Sequence, residues 1–271
     1  SLSFDGVDDY VDFGDVSETE GLNAITVEAW INPFSLNNNR SYIVVKEDVW
    51  YFQIENGLLT FTIHGENPLT EYTIPQTNNW YHVVGVSDNT NTKLYVNGLV
   101  VDSVNSTAIT TSNHPLSVGA RYWNGLTWQE NFDGEIDQVR IWNQVLTQQE
   151  IQSYMSTPPT GNEEGLVGYW NFNEGSGTTL ADQTSNGNNG SINGASWSTD
   201  TPFFQSFTQL SDSLYTINVT TETDGIISPS ISSSAVLDRA ANGNTAISDY
   251  SVVYNGVAPS APGELSASAG S

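Results

Sequence analysis

The sequence predicts an all-β protein, a sandwich or barrel of many short strands, followed by a smaller β-rich segment. Three observations carry that prediction. Short runs that alternate apolar and polar residues, or that are rich in Val, Ile, Tyr, Phe, Thr and Trp, recur through residues 1–203, as half-buried strands do. Turn signals interrupt them about every eight to twelve residues, the spacing of an all-β domain. Helix signals are scarce: the clear one is Thr147-Gln148-Gln149-Glu150, a capping box in which the Thr hydroxyl accepts an amide proton and Glu150 reaches back.

Taken in order, Leu2–Asp5 and Tyr10–Phe13 flank the turn Gly6-Val7-Asp8-Asp9 and read as a hairpin. Residues 14–24 are an acidic loop. A second strand runs from Ile25 to Ile31, with Pro33 ending it. Tyr42–Lys46, Val49–Ile54 and Leu58–His64 follow, the last two joined by an Asn-Gly turn at Asn56-Gly57. Trp80–Ser87, Lys93–Val96 and Leu99–Val104 form a meander with a second Asn-Gly turn at Asn97-Gly98. Leu116–Gly119 is a short strand and 120–131 a loop. Phe132–Trp142 is a turn feeding a strand whose Val139/Ile141 and Gln138/Arg140 alternate. The capped helix should run to about Met155 and stop before Pro158-Pro159. Leu166–Phe172 is another strand, Gly175–Gly194 a Gly/Asn/Ser-rich loop, and Ala195–Ser198 a last short strand.

Beyond residue 203 Trp disappears and Ser and Thr dominate. Leu214–Thr220 and Tyr250–Tyr254 read as strands, and Val257–Pro262 as a linker. The segment 204–257 is small for an independent sandwich.

Net charge is −25, from 31 acidic and 6 basic residues spread along the chain. That surface argues against nucleic acid and anionic membrane and favours divalent cations and neutral partners. Cysteine is absent, so neither disulfides nor thiol chemistry enter. No run approaches the ~18 apolar residues of a membrane helix, so membrane insertion is not expected. The chain reads as a segment of a longer secreted protein and as a monomer.

Asp137 is out of place in its strand, because a carboxylate among strand residues is costly unless paired. With few basic residues available, a cation from solvent is the better partner, and an oxygen-lined site suits calcium.

Five ordered motifs carry a resemblance. They are Phe4-Asp5-Gly6 with Asp8-Asp9-Tyr10-Val11, Val27-Glu28-Ala29-Trp30-Ile31, Trp80-Tyr81-His82-Val83-Val84-Gly85-Val86, Lys93–Gly98, and Phe132–Trp142 with its capped helix. In order and spacing they resemble bacterial laminin-G-like domains of the concanavalin A-like lectin/glucanase superfamily, over residues 1–157. The resemblance implies a jelly roll of two antiparallel sheets over residues 1–203. Leu166–Gly177 also resembles that family, in a segment that opens many members. Here residues 166–198 either complete the first sandwich, as in a circular permutation, or begin a truncated second copy; the first is preferred because no second Phe-Asp-Gly follows. In related glucanases the Asp of this strand holds a structural calcium, which maps onto Asp137. Asp5 is the candidate second ligand, since first and last strands neighbour each other in such sandwiches. Asp8, Asp9 and Asp133 are supplementary candidates. The glucanases' catalytic Glu-x-Asp-x-Glu strand has no counterpart. Residues 237–252 resemble closing strands of bacterial immunoglobulin-like repeats, and 258–271 the approach to a fibronectin type III module.

Catalysis finds little support: paired carboxylates at glycosidase spacing are not evident, Glu28 has Trp30 at its next same-face position, and His82 reads as structural. Sugar binding finds more. Arg121, Tyr122, Trp123 and Trp128 crowd one loop with several amides, and a sugar ring stacks on an exposed aromatic face; the competing reading is that the indoles cap the core. Trp50 and His64 are weaker ligand candidates. Trp30, Trp80, Trp142, Trp170 and Trp197 are assigned to the core or its edges, and Arg140 to a local pair. The expectation is a non-catalytic, calcium-stabilised polysaccharide-binding module of a secreted multidomain bacterial protein. The alternative is a protein-binding or structural spacer of a cell-surface adhesin.

Overall fold

A computed structural model describes residues 1–202 apart from 37–39, 66–68 and 124, and beyond them only the backbone of five strands. Two units separate, Ser1–Pro202 and Phe203–Ser271. In chain order the first unit holds β1 (Leu2–Asp5), β2 (Tyr10–Asp12), β3 (Ile25–Pro33), β4 (Ser41–Lys46), β5 (Trp50–Glu55), β6 (Leu58–Ile63), β7 (Tyr72–Thr73), β8 (Tyr81–Ser87) and β9 (Asn91–Val96). Next come β10 (Leu99–Asn105), β11 (Leu116–Val118), β12 (Arg121–Trp123), β13 (Thr127–Gln129), β14 (Asp133–Trp142) and the helix α1 (Gln148–Ser156). It closes with β15 (Leu166–Trp170), β16 (Thr179–Leu180), β17 (Gly190–Asn193) and β18 (Ser196–Trp197).

Two antiparallel sheets form a sandwich of the concanavalin A-like jelly-roll type. The first runs β10-β9-β8-β3-β14-β1-β18, with β15 also on β14; the second runs β16-β17-β2-β11-β4-β5-β6-β7. Period-2 alternation, reset in β14 by a bulge between Ile136 and Val139, sends Val27, Ile31, Ile136, Val139 and Ile141 inward from one sheet to meet Val44, Trp50, Phe52, Phe61 and Leu116 of the other. Facing Phe61 of the second sheet the sequence places Gly85, where a Cβ would lie 2.0 Å from Phe61 Cγ.

Residues 2–13 are not a paired hairpin. β1 lies between β14 and β18 in the first sheet, and β2 between β11 and β17 in the second. The turn crosses from sheet to sheet, because Leu2 and Phe4 enter the core from one side and Val11 and Phe13 from the other. Residues 166–198 supply β15 and β18 to the first sheet and β16 and β17 to the second, so they complete this sandwich. The expected loops at 120–131 and 175–194 contain the pairs β12–β13 and β16–β17.

A second apolar cluster lies outside the first sheet. Ile151 of α1 packs with Val84, Val86, Tyr95, Trp142, Leu146, Leu166 and Tyr169, and Tyr154 stacks on Trp142 at 4.9 Å. The capping box at Thr147 and Glu150 is formed. Under this layer Glu28 accepts from Trp142 Nε1 at 2.6 Å, lies 3.5 Å from Arg140 Nη1 and 3.3 Å from His82 Nε2. Arg140 also donates to the Tyr154 carbonyl at 2.9 Å and to the Gln138 side chain. Glu28, then, has partners on both neighbouring strands.

In the second unit Phe204–Ser211, Leu214–Thr220 and Leu265–Ser268 form one antiparallel sheet, and Gly225–Ile227 pairs with Val252–Tyr254. The readings of 237–252 as immunoglobulin-like and of 258–271 as a fibronectin lead-in fall largely outside the described residues.

Candidate functional site

The β12–β13 hairpin follows β11 as a two-stranded sheet of its own. Strand pairing places Arg121 opposite Gln129, Tyr122 opposite Trp128 and Trp123 opposite Thr127. Arg121 and Trp123 therefore share one face and Tyr122 and Trp128 the other.

The first face is built around a pinned cation. Arg121, 8% exposed, donates from Nε and Nη2 to the two Glu47 oxygens at 2.6 and 2.5 Å, and from Nη1 to the Tyr42 hydroxyl at 3.1 Å. Its burial acts to lower the guanidinium pKa, and Glu47 together with Tyr42 and Tyr51 outweighs that, holding it above the ordinary value. The guanidinium carbon lies 4.0 Å from the Trp123 ring centroid and 5.3 and 5.5 Å from those of Tyr51 and Tyr42, within cation–π range. Trp123 is 39% exposed, and one face of its ring rests on the cation. Next to it, burial raises the Tyr51 hydroxyl pKa, so that group stays protonated. It accepts from the Asp48 N–H at 3.0 Å and shares a hydrogen bond with His64 Nδ1 at 3.0 Å. Asp48 sits between two imidazoles, 4.0 Å from His64 Nδ1 and 3.5 Å from His114 Nε2.

On the second face Trp128 stacks on Tyr10 at 4.1 Å and 17°, and lies 4.9 Å from Tyr122. The Tyr122 hydroxyl donates to the Gly125 carbonyl at 2.9 Å. These contacts tie the hairpin to β2.

The residues expected to bind ligand thus divide. Arg121, Trp123 and His64 gather on or beside one face, while Trp128 and Tyr122 hold the hairpin in place. Trp50 is a correction: it is fully buried, its Nε1 donating to the Thr19 carbonyl at 2.9 Å, because the β5 register turns Trp50 and Phe52 into the core. Glu47, Asp48, Tyr51, His114 and Tyr10 complete the surroundings. Glu47-Asp48 in sequence is only a turn signal, and its role appears once the β4–β5 turn lies beside the hairpin.

The Asp5–Asp137 pairing is also corrected. Asp5 faces Asp133 in the β1–β14 register, so Asp137 lies four residues away, about 13 Å at strand spacing. Asp137 instead sits at a bulge where the register with β3 shifts and Gln138 takes φ +48°. Its Oδ1 accepts from the Gln138 N–H at 2.8 Å and its Oδ2 lies 3.7 Å from the Ser1 nitrogen. Burial pushes its carboxyl up to about 7.

Asp5 joins other carboxylates. Oxygens of Asp5, Asp8 and Asp9 all lie within 4.8 Å of one another. Burial, then repulsion from Asp5, raises the pKa of both Asp9 and Asp133. Four of the five Lys and Arg side chains of the first unit pair elsewhere, Arg40 with Glu55, Lys46 with Asp15, Arg121 with Glu47 and Arg140 with Glu28, and the fifth, Lys93, is on β9. A crowded all-oxygen set lacking a protein cation fits a hard divalent ion such as calcium.

The sequence pattern of the concanavalin A-like lectin/glucanases superfamily matches residues 5–152, more than half of the chain. The chain belongs to that superfamily. Among solved structures, this superfamily member is similar to a candidate carbohydrate-binding protein from Bacteroides ovatus, with a TM-score of 0.61 and 21% identity over 72% of this chain and 58% of that one. This likeness shows the fold, and the chain spans 58% of the Bacteroides protein's length. Weaker likenesses are to a heptameric SAP-like pentraxin from Limulus polyphemus (TM-score 0.47, 19% identity, 60% and 86% of the two chains) and to domain 4 of an extracellular arabinanase from Geobacillus stearothermophilus in complex with arabinotriose (0.39, 23%, 49% and 67%). No curated protein matches the sequence. Among the described residues, no helix is long and apolar enough to cross a membrane.

Proposed function

We propose that residues 1–202 are a non-catalytic carbohydrate-binding module of a secreted, multidomain bacterial protein. The supporting observation is the Trp123 side chain, 39% exposed with its ring held against the Arg121 guanidinium. A pyranose or furanose ring presents C–H groups to a flat aromatic face. Holding that face rigid beforehand reduces the entropy lost on binding. The Arg121–Glu47–Tyr42 bonds lock the support, so the platform is ready-formed.

Calcium is a second, structural part of this reading. Asp5, Asp8 and Asp9 would hold it, and it would neutralise their repulsion where the chain crosses from one sheet to the other.

Affinity electrophoresis in gels containing neutral polysaccharides tests the platform. The native chain is expected to be retarded and Trp123→Ala to run freely while melting within a few degrees of it. Retardation unchanged by Trp123→Ala contradicts the proposal. The exposed Leu99, Val100 and Val101 on edge strand β10 favour the second reading, a protein-contacting spacer of a cell-surface adhesin; on that reading no polysaccharide retards the chain.

A further inference from the structure

We infer that the Trp123 platform takes uncharged glycans and discriminates against carboxylated and sulfated ones. This rests on the reading of Trp123 as a glycan platform and adds the chemical class of the ligand. Recognition of an anionic sugar requires a guanidinium or ammonium with donors to spare, since charge-assisted bidentate contacts supply the affinity and the geometry. Arg121 is the cation at the platform; it is 8% exposed and each of its three nitrogens already donates. Nε and Nη2 are held by Glu47, and Nη1 by the Tyr42 hydroxyl with Glu130 Oε2 at 3.7 Å. It lies beneath the indole, so it supports the ring without facing a ligand on the far side.

Other basic side chains of the first unit offer no substitute. Arg40 is paired with Glu55 at 2.9 Å. Lys46 is buried between Asp15 at 2.5 Å and Glu20 at 3.5 Å. Arg140 is buried under α1, outside the first sheet, and Lys93 is on β9 of that sheet. The platform packs against the second sheet, through Tyr42 of β4 and Tyr51 of β5. The imidazoles of His64 and His114 both lie against Asp48.

With Glu47 buried and held by Arg121, the carboxylates near the platform that still reach solvent are Asp48 and Glu130, 50% and 32% exposed, in a chain of net charge −25. Carboxylates accept strongly from sugar hydroxyls, and the same carboxylates repel an anionic sugar at short range. A neutral sugar gains both the stack and the hydroxyl contacts, whereas an anionic one meets like charge with no compensating donor.

The test is isothermal titration of the whole chain, native and Trp123→Ala, against matched polysaccharide pairs that differ in charge. Suitable pairs are neutral glucan, mannan, xylan, arabinan and galactan, each with its carboxymethylated or sulfated derivative. Each titration is run in chelator and again in calcium. The expected result is Trp123-dependent binding to at least one neutral member, with affinity for its charged derivative lower by about tenfold or more, the scale of one short-range like-charge contact. The neutral binding should hold from low to high salt, because it uses no ion pair with the ligand. Equal or tighter Trp123-dependent binding of a charged member, in chelator or only in calcium, overturns the inference while leaving the platform reading in place. Binding that Trp123→Ala does not weaken, or no binding to any member, overturns the platform reading and this inference with it.

Discussion

Asp137 has a carboxyl group 2% exposed at the β14 bulge, and its environment favours the protonated form. Its folded pKa of about 7 lies above the ordinary 3.8. Between those values the folded chain binds more protons than the unfolded one, so this residue's contribution to stability falls as pH rises through that window. Asp137→Asn keeps the oxygen that accepts from Gln138 and removes the charge. It is expected to stabilise the domain by roughly 1–3 kcal/mol at pH 8 and by little at pH 4. Urea unfolding at the two pH values checks this, and a gain equal at both contradicts it. Trp123 is the other decisive residue, since its exposure is supported by a cation and not by a gap in packing. The sequence marked both residues as unusual. It did not reveal their neighbours, because Glu47 lies 74 positions from Arg121 and no local spacing encodes such a contact. For the same reason the meeting of Glu28, His82 and Arg140 across β3, β8 and β14 is not legible in the sequence, which offers Arg140 only a local pair.

At the scale of elements, strand identity was legible and strand partnership less so. Alternation marked β3–β6, β8–β10 and β14, and the capping box marked α1, because each is a local pattern. The β1–β2 turn was misread as a hairpin, since a sheet-to-sheet crossover uses the same Gly-Asp turn chemistry as a tight hairpin. The β12–β13 pair was read as a loop because its strands are three residues each, too short for alternation to show. Its aromatics divide by face, which gives a prediction. Trp128→Ala removes the stack on Tyr10 and is expected to lower stability by about 1–3 kcal/mol, the range of losing a partly buried aromatic. Trp123→Ala should change stability by less than about 1 kcal/mol, the worth of an exposed cation–π contact. Thermal melts of the two variants side by side test the division. Equal losses would mean that both rings are packing.

Over the whole molecule, five ordered motifs sufficed to identify a two-sheet jelly roll by resemblance; they carry β1, β3, β8, β9 and β14 of the first sheet and β2 of the second. The binding partner was not legible to the same degree, since one fold serves many ligands. The charge of −25 was legible and its consequence is now local: Asp5, Asp8 and Asp9 converge at the crossover. If calcium binds there, a hundredfold excess over its Kd adds about 2.7 kcal/mol to stability. Chelation should then lower the melting temperature of the native chain and leave Asp8→Asn unmoved; a melt indifferent to chelator refutes the site. The most direct test of the central claim is NMR of the tryptophan indole N–H groups during titration with the neutral polysaccharide that binds. The Trp123 signal is expected to shift progressively to saturation, while those of Trp50, Trp142 and Trp170, enclosed in the two apolar clusters, stay in place. A Trp123 signal that never moves while the protein binds glycan would contradict the claim.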